Sequence, residues 1–177
     1  MKTTTAYRLW KRTVLALFVT LTCANCTTNT QSTNDSLSLD KVIVVKSKRP
    51  MKLMDGEKIV REYHIALGSH PEGHKLQQAD GKNPEGDYTL DYVNENSKYY
   101  RSMHISYPNN KDRSTAKSVG LNPGGDIMIH GQKNGTGAAA WITQRVNWNQ
   151  GCIAITNSEM DEFLELVPVG TPIHISW

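Results

Sequence analysis

Apolar residues over the first third of the folded region recur with the period of strands. "KVIVVK" is a dense β-branched run, "MKLMDGEKIV" turns at Asp55-Gly56, and "REYHIALG" alternates, so a meander of strands is predicted from about Lys41. The pattern stops over residues 69–86, where Gly and Pro punctuate a loop, and resumes in "DYTLDYV". "KYYRSMHISYPN" reads as another strand, ending in a turn at Pro108 and Asn109, and "NKDRSTAKSVGLNPGG" as a polar excursion with one helical turn. In "DIMIHG", Ile127 and Ile129 share a face, His130 stands at the strand end, and Gly131 releases the chain.

Helical spacing comes later and is sparse. Residues 138–145 read as a short helix and "CIAI" as a short strand. "TNSEMDEFLELV" is the strongest helix, with Thr156 and Glu159 at capping-box spacing and Met160, Phe163, Leu164 and Val167 on one stripe. "PVGTPIHISW" closes the chain with a strand in which Ile173, Ile175 and Trp177 share a face. No internal repeat is present. The pattern predicts a mainly β domain with one or two short helices on it.

The first 40 residues do not belong to that domain. Lys2, Arg8, Lys11 and Arg12 precede an apolar run over residues 13–22, and small residues follow, which is the three-part pattern of a secretory signal over residues 1–26. The run is too short to span a bilayer, which needs about 20 residues. Cleavage after Ala24 gives a soluble product, whereas cleavage before Cys26 would leave a lipid anchor there, although Asn25 departs from the usual Gly, Ala or Ser. Residues 27–40, rich in Ser, Thr and Asn, read as a flexible tether, and 41–177 as the folded domain. The expected location is the periplasm or cell envelope.

Charge then changes meaning. The chain of 177 residues carries a formal net charge of +3, but without residues 1–26 it has 16 Lys and Arg against 17 Asp and Glu. The basic excess sits in the signal, so the folded part gives no argument for nucleic acid or an anionic membrane as partner.

Cys23 and Cys26 fall in or at the signal, which leaves Cys152 as the lone thiol of the domain. A lone cysteine in an exported protein reads either as a reactive thiol or as a small buried hydrophobe. A nucleophilic thiol needs a base, since at an unperturbed pKa near 8.5 it is only a few per cent thiolate at neutral pH. Of six histidines, His130 is preferred, at a strand end with enough chain before Cys152 to bring both to one mouth. Gly151 leaves the sulfur unobstructed and its neighbourhood free to offer N–H groups to an oxyanion. His70 and His74 are four apart, but Pro71 and Gly73 argue against a metal-binding helix, so the two read as exposed loop histidines. Trp141 and Trp148 are groove or rim candidates. Arg101, His104 and Arg113 are candidates for substrate carboxylates or solvated charges, and His64 and His174 read as structural.

"IMIHG", followed about twenty residues later by "GCIAITN" and an acidic amphipathic helix, resembles the catalytic domain of the L,D-transpeptidases, the YkuD domain. "ADGKNPEGDYTLDYVNENSKYYRSMHISYPNNKDR" and "VPVGTPIHI" extend the likeness over roughly residues 41–177. The resemblance implies Cys152 as nucleophile, His130 as its proton acceptor and donor, and the Gly131 carbonyl as the group orienting the imidazole. It also implies a β-sandwich or mixed-sheet domain, no metal or organic cofactor, and peptidoglycan stem peptides as substrate, with attack at meso-diaminopimelate, loss of D-alanine, and resolution by an amine or water. Two positions depart from the family: Asn149-Gln150 replaces Ser or Thr and then His, and Ala154 stands where the family has Arg. The Gly-Cys-Ile-Ala form resembles a branch that includes hydrolases releasing a wall-attached lipoprotein, so transpeptidase, thiol hydrolase and non-catalytic wall-binding module all stay open.

Overall fold

A computed structural model of the chain describes residues 39–177. The expected signal and nearly all of the expected tether lie outside the described residues. Among the described residues eight strands form: β1 (Lys41–Val45), β2 (Pro50–Asp55), β3 (Lys58–His64), β4 (Gly86–Ser97), β5 (Tyr100–Ile105), β6 (Met128–His130), β7 (Ile153–Ala154) and β8 (Pro172–Ser176). Their spatial order is β3-β2-β1-β8-β4-β5-β6-β7 in one mixed sheet, with β1/β8 and β6/β7 the parallel pairs.

The long strand β4 serves both halves of this sheet. Residues Gly86 to Thr89 pair with β8, whereas Leu90 and beyond pair with β5, and the register shifts between Leu90 and Val93 and again between Asn94 and Ser97. Such shifts bend a strand. Alternation follows the predicted period: Val42 and Val44, Ile173 and Ile175, and Met103 and Ile105 all turn into one core shared by the two halves. Each such fully buried side chain contributes roughly 1.5–3 kcal/mol relative to exposure. The Asp55-Gly56 turn forms as expected, with Gly56 at φ +58, a value at which a side chain is strained.

Three helices accompany the sheet, one more than the pattern predicts. The addition is α1 (Asn110–Ser118), read from sequence as a single turn; it has no apolar stripe, burying only Asp112 and Ala116, so periodicity could not report it. Its start is fixed chemically, by a capping box in which Asn109 and Asp112 each accept the other's N–H. The helix expected over 138–145 is a 3-10 turn at Gly137–Ala139 running into the short α2 (Ala140–Thr143). The third, α3 (Asn157–Leu166), starts on the Thr156/Glu159 capping box and buries Met160 and Phe163. Trp177 is a correction: it lies past the end of β8, is 51 % exposed, and has the Lys46 ammonium 5.6 Å from its ring rather than a place in the core.

Candidate active site

Parallel pairing of β6 with β7 sets Ile129 opposite Ile153 and His130 opposite Ala154. Ile129 and Ile153 enter the core. By the two-residue period, Met128, His130, Cys152 and Ala154 therefore point to the other face. Cys152, one residue before β7, faces Met128, and the Met128 N–H donates to its sulfur at 3.4 Å. His130 is the diagonal neighbour, at a spacing of roughly 7–8 Å between Cα atoms. The sequence-predicted pair thus shares one sheet face. The imidazole is not among the sulfur's hydrogen-bond partners, however; the thiol donates instead to the Asp126 carbonyl at 3.7 Å.

His130 is 3 % exposed, and its Nδ1 lies 2.7 Å from the Gly131 carbonyl oxygen. A carbonyl only accepts, so Nδ1 carries the hydrogen and the neutral ring keeps its lone pair on Nε2. Burial pushes the imidazole below its ordinary pKa, against the opposing Gly131 carbonyl and Asn149 side chain. Tyr99 covers the ring at 4.6 Å between centroids, and Trp148 meets it edge-on at 5.7 Å. Burial also pushes the Cys152 thiol up, with the Met128 N–H and the Lys75 ammonium opposing. Both shifts favour a resting state of neutral thiol beside neutral imidazole.

Glycines shape the two approaches. Gly151 has φ +116, and a Cβ there would stand 2.6 Å from the Lys82 carbonyl oxygen. At Gly131 a Cβ would meet Asn157 Oδ1 at 2.7 Å, an oxygen that accepts the Gln132 N–H. Neither site tolerates a side chain without local movement.

Sequence reasoning missed the residue that holds the cysteine loop. Asn83, fully buried, donates to the Gly151 and Cys152 carbonyls at 2.8 and 2.7 Å and accepts the Gly68 N–H at 2.9 Å. Nothing periodic marks an asparagine in a Gly/Pro loop. Lys75 was missed as well. It is 2 % exposed, paired with Asp80 at 2.9 Å, and lines a cleft of about 240 Å³ with Cys152, Gln150, Gln78 and Asp126. A larger cavity of about 530 Å³, lined in part by His74, Glu85 and Asp112, does not include Cys152; the chemistry is placed by the sulfur, not by volume.

Other candidates resolve differently. His74 is not a free loop histidine: Nδ1 accepts the Glu85 N–H at 2.9 Å and Nε2 stands 3.2 Å from Asp112. Arg101 is committed to Glu95 and Asp161. Trp141 is 65 % exposed beside Arg145, while Trp148 lies against His130. Arg113 and His64 are exposed, and His174 pairs with Asp87 on the surface. Ala154 is fully buried, its N–H and carbonyl both bonded to Ala66, so an arginine could not be housed there as the fold stands.

Residues 40–175 match the family model of the L,D-transpeptidase catalytic domain, YkuD. The chain belongs to this family. The L,D-transpeptidases are a family of cysteine enzymes that act on peptidoglycan stem peptides. YafK of Escherichia coli (strain K12) is 30% identical over 127 residues, covering 71% of this chain and 42% of its own. The helical cell shape determining protein Pgp2 of Campylobacter jejuni superposes with a TM-score of 0.60 at 25% identity, over 79% of this chain and 50% of Pgp2. An L,D-transpeptidase of Xylanimonas cellulosilytica shares the fold, with a TM-score of 0.51 at 14% identity over 78% of this chain and 62% of that one. The chain spans less than half the length of YafK and about half that of Pgp2.

Proposed function

We propose that the domain is a peptidoglycan L,D-transpeptidase working through a Cys152 acyl-enzyme in the periplasm or cell envelope. What carries the reading is one observation: the only free thiol among the described residues opens on a cleft and lies diagonal, on the same sheet face, to an imidazole with Nδ1 fixed by Gly131. Pgp2, a determinant of helical cell shape, is consistent with wall remodelling as the process.

In this reading the thiol turns from the Asp126 carbonyl toward Nε2 of His130, which takes its proton. The thiolate attacks the carbonyl at the L-centre of meso-diaminopimelate. Backbone N–H groups at Gly151 and Cys152 receive the oxyanion, held in place by Asn83 through the carbonyls of the same two residues. His130 returns the proton to the departing D-alanine nitrogen, leaving a thioester on Sγ. An amine of a second stem then resolves the thioester as a cross-link.

Hydrolysis is the second reading, in which water replaces the amine, either trimming stems or releasing a wall-attached lipoprotein. It is favoured by Gln150, which lines the cleft without a titratable ring, and by Ala154, which supplies no cation. Loss of catalysis altogether would leave a wall-binding module. Incubation with tetrapeptide muropeptides separates the three: a cross-linked dimer supports the transpeptidase, shortened or released product alone supports the hydrolase, and no turnover with binding retained supports the module. Cys152→Ala is expected to abolish both products while keeping the native circular dichroism spectrum.

A further inference from the structure

The face that carries Cys152 is divided into two rows. Register places Ser102, His130 and Ala154 side by side across β5, β6 and β7, and all three are buried. One step along the strands, His104 lies opposite Met128, which faces Cys152, and these three are only partly buried. The backbone positions of Cys152 and of a second imidazole, His104, thus lie in one less buried row, two strand spacings or roughly 9.5 Å apart, with Met128 between them.

That imidazole is held on two sides. Its Nδ1 lies 2.6 Å from Asp91 Oδ1, and its ring stacks on Tyr92 with centroids 4.6 Å apart and an interplanar angle of 17°. A carboxylate accepts, so the Nδ1 hydrogen is directed to Asp91, and Nε2, for which the described residues supply no partner, is left free for a ligand. The surroundings are acidic and aromatic: the Asp126 and Asp91 carboxylates both act on the Tyr92 phenol. A free ring nitrogen, two carboxylates and a π-face suit a primary ammonium and disfavour a carboxylate. This reverses the sequence expectation for His104.

We infer that His104, oriented by Asp91 and Tyr92, is the acceptor-side residue of this L,D-transpeptidase, binding the primary ammonium of the second stem and taking one of its protons. The inference rests on the acyl-enzyme reading above. A backbone separation of two strand spacings is one that a thioester on Sγ and an amine hydrogen-bonded to Nε2 can bridge. The ammonium first gives a proton to Nε2, which passes it to solvent. The neutral amine then forms the C–N bond, the C–S bond breaks, and the second nitrogen proton ends on Sγ.

The test uses acyl-enzyme preformed on Cys152 from a tetrapeptide muropeptide and challenged with a muropeptide bearing a free side-chain amine. The ratio of cross-linked to hydrolysed product is read for the wild type, His104→Gln, Asp91→Asn and His174→Gln. The last variant disrupts a His–Asp pair of the same 2.6 Å separation far from the row. The expected result is a ratio lowered about 10²-fold in His104→Gln, the lower end of what a positioned proton acceptor contributes, a smaller loss in Asp91→Asn, and none in His174→Gln. An unaltered ratio in His104→Gln overturns the inference, as does a variant that no longer acylates, because the residue would then serve the donor. A wild-type acyl-enzyme that only hydrolyses also overturns it while keeping the nucleophile. Absence of any wild-type adduct, by contrast, is failure of the acyl-enzyme reading itself.

Discussion

Burial moves the two ionisable groups of the site in opposite directions, the imidazole down and the thiol up. Each shift disfavours the charged form, so the pair rests neutral, and in the proposed mechanism a proton moves before attack. The sign fixes the pH dependence. A base works only when unprotonated, and His130 protonates below the ordinary imidazole value of 6.5. The acid limb of kcat/KM for acylation is therefore expected to have its midpoint below 6.5, measured by product release across pH; a midpoint above it contradicts the assignment. At this scale the candidate pair was readable from residue type, neighbouring glycines, chain spacing and the family resemblance, and the structure sets Cys152 and His130 at the paired strands β6 and β7. Asn83 was not. Its importance lies in three hydrogen bonds to backbone groups distant in sequence, which no local pattern encodes. Asn83→Ala leaves those buried groups unpaired, at about 1–3 kcal/mol each where no water replaces the side chain, so urea denaturation is expected to show a loss of several kcal/mol.

Element by element, pattern and structure agree wherever one face of a segment meets the core. The strands β2 and β8 and the helix α3 bury residues that their period selects, whereas β3 buries only Tyr63 and leaves Ile59 46 % exposed. Disagreement falls where stabilisation is polar or end-specific. Helix α1 depends on its Asn109/Asp112 cap, and α2 on Arg49, which donates to the Gln144 and Arg145 carbonyls at 2.7 and 3.1 Å and so closes the helix C-terminus. The strand β7 is only two residues long, too short for any alternation to show. Cap removal tests the helices directly. Thr156→Ala takes away the acceptor for the Glu159 N–H and is expected to cost about 1 kcal/mol of stability, read as a lowered denaturation midpoint at unchanged slope.

For the whole domain, the loop over residues 69–86 is the piece that joins the sheet to the site. It brings Lys75, Asp80 and Asn83 to the cysteine, yet up to Gly86, where β4 begins, it contains no strand or helix. Lys46, just past β1, anchors it: the fully buried ammonium donates to the Pro71 and Gly73 carbonyls at 2.6 and 2.8 Å and pairs with Glu85 at 2.7 Å. Lys46→Ala strands the Glu85 carboxylate and is expected to destabilise by about 3–5 kcal/mol in urea denaturation, and to slow acylation through the displaced loop. The mainly β class was readable because strand periods dominate the chain, whereas the order of eight strands was not, since it is set by pairing between β1 and β8, far apart in sequence. The central claim, that His130 takes the Cys152 proton to form a thioester, is tested most directly by the rate of acyl-adduct formation. Intact mass with peptide mapping, applied to a tetrapeptide muropeptide mixed with wild type and with His130→Gln, is expected to show the tripeptide adduct on Cys152, forming about 10²- to 10⁴-fold more slowly in the variant. Equal rates, or an adduct on any other residue, would contradict it.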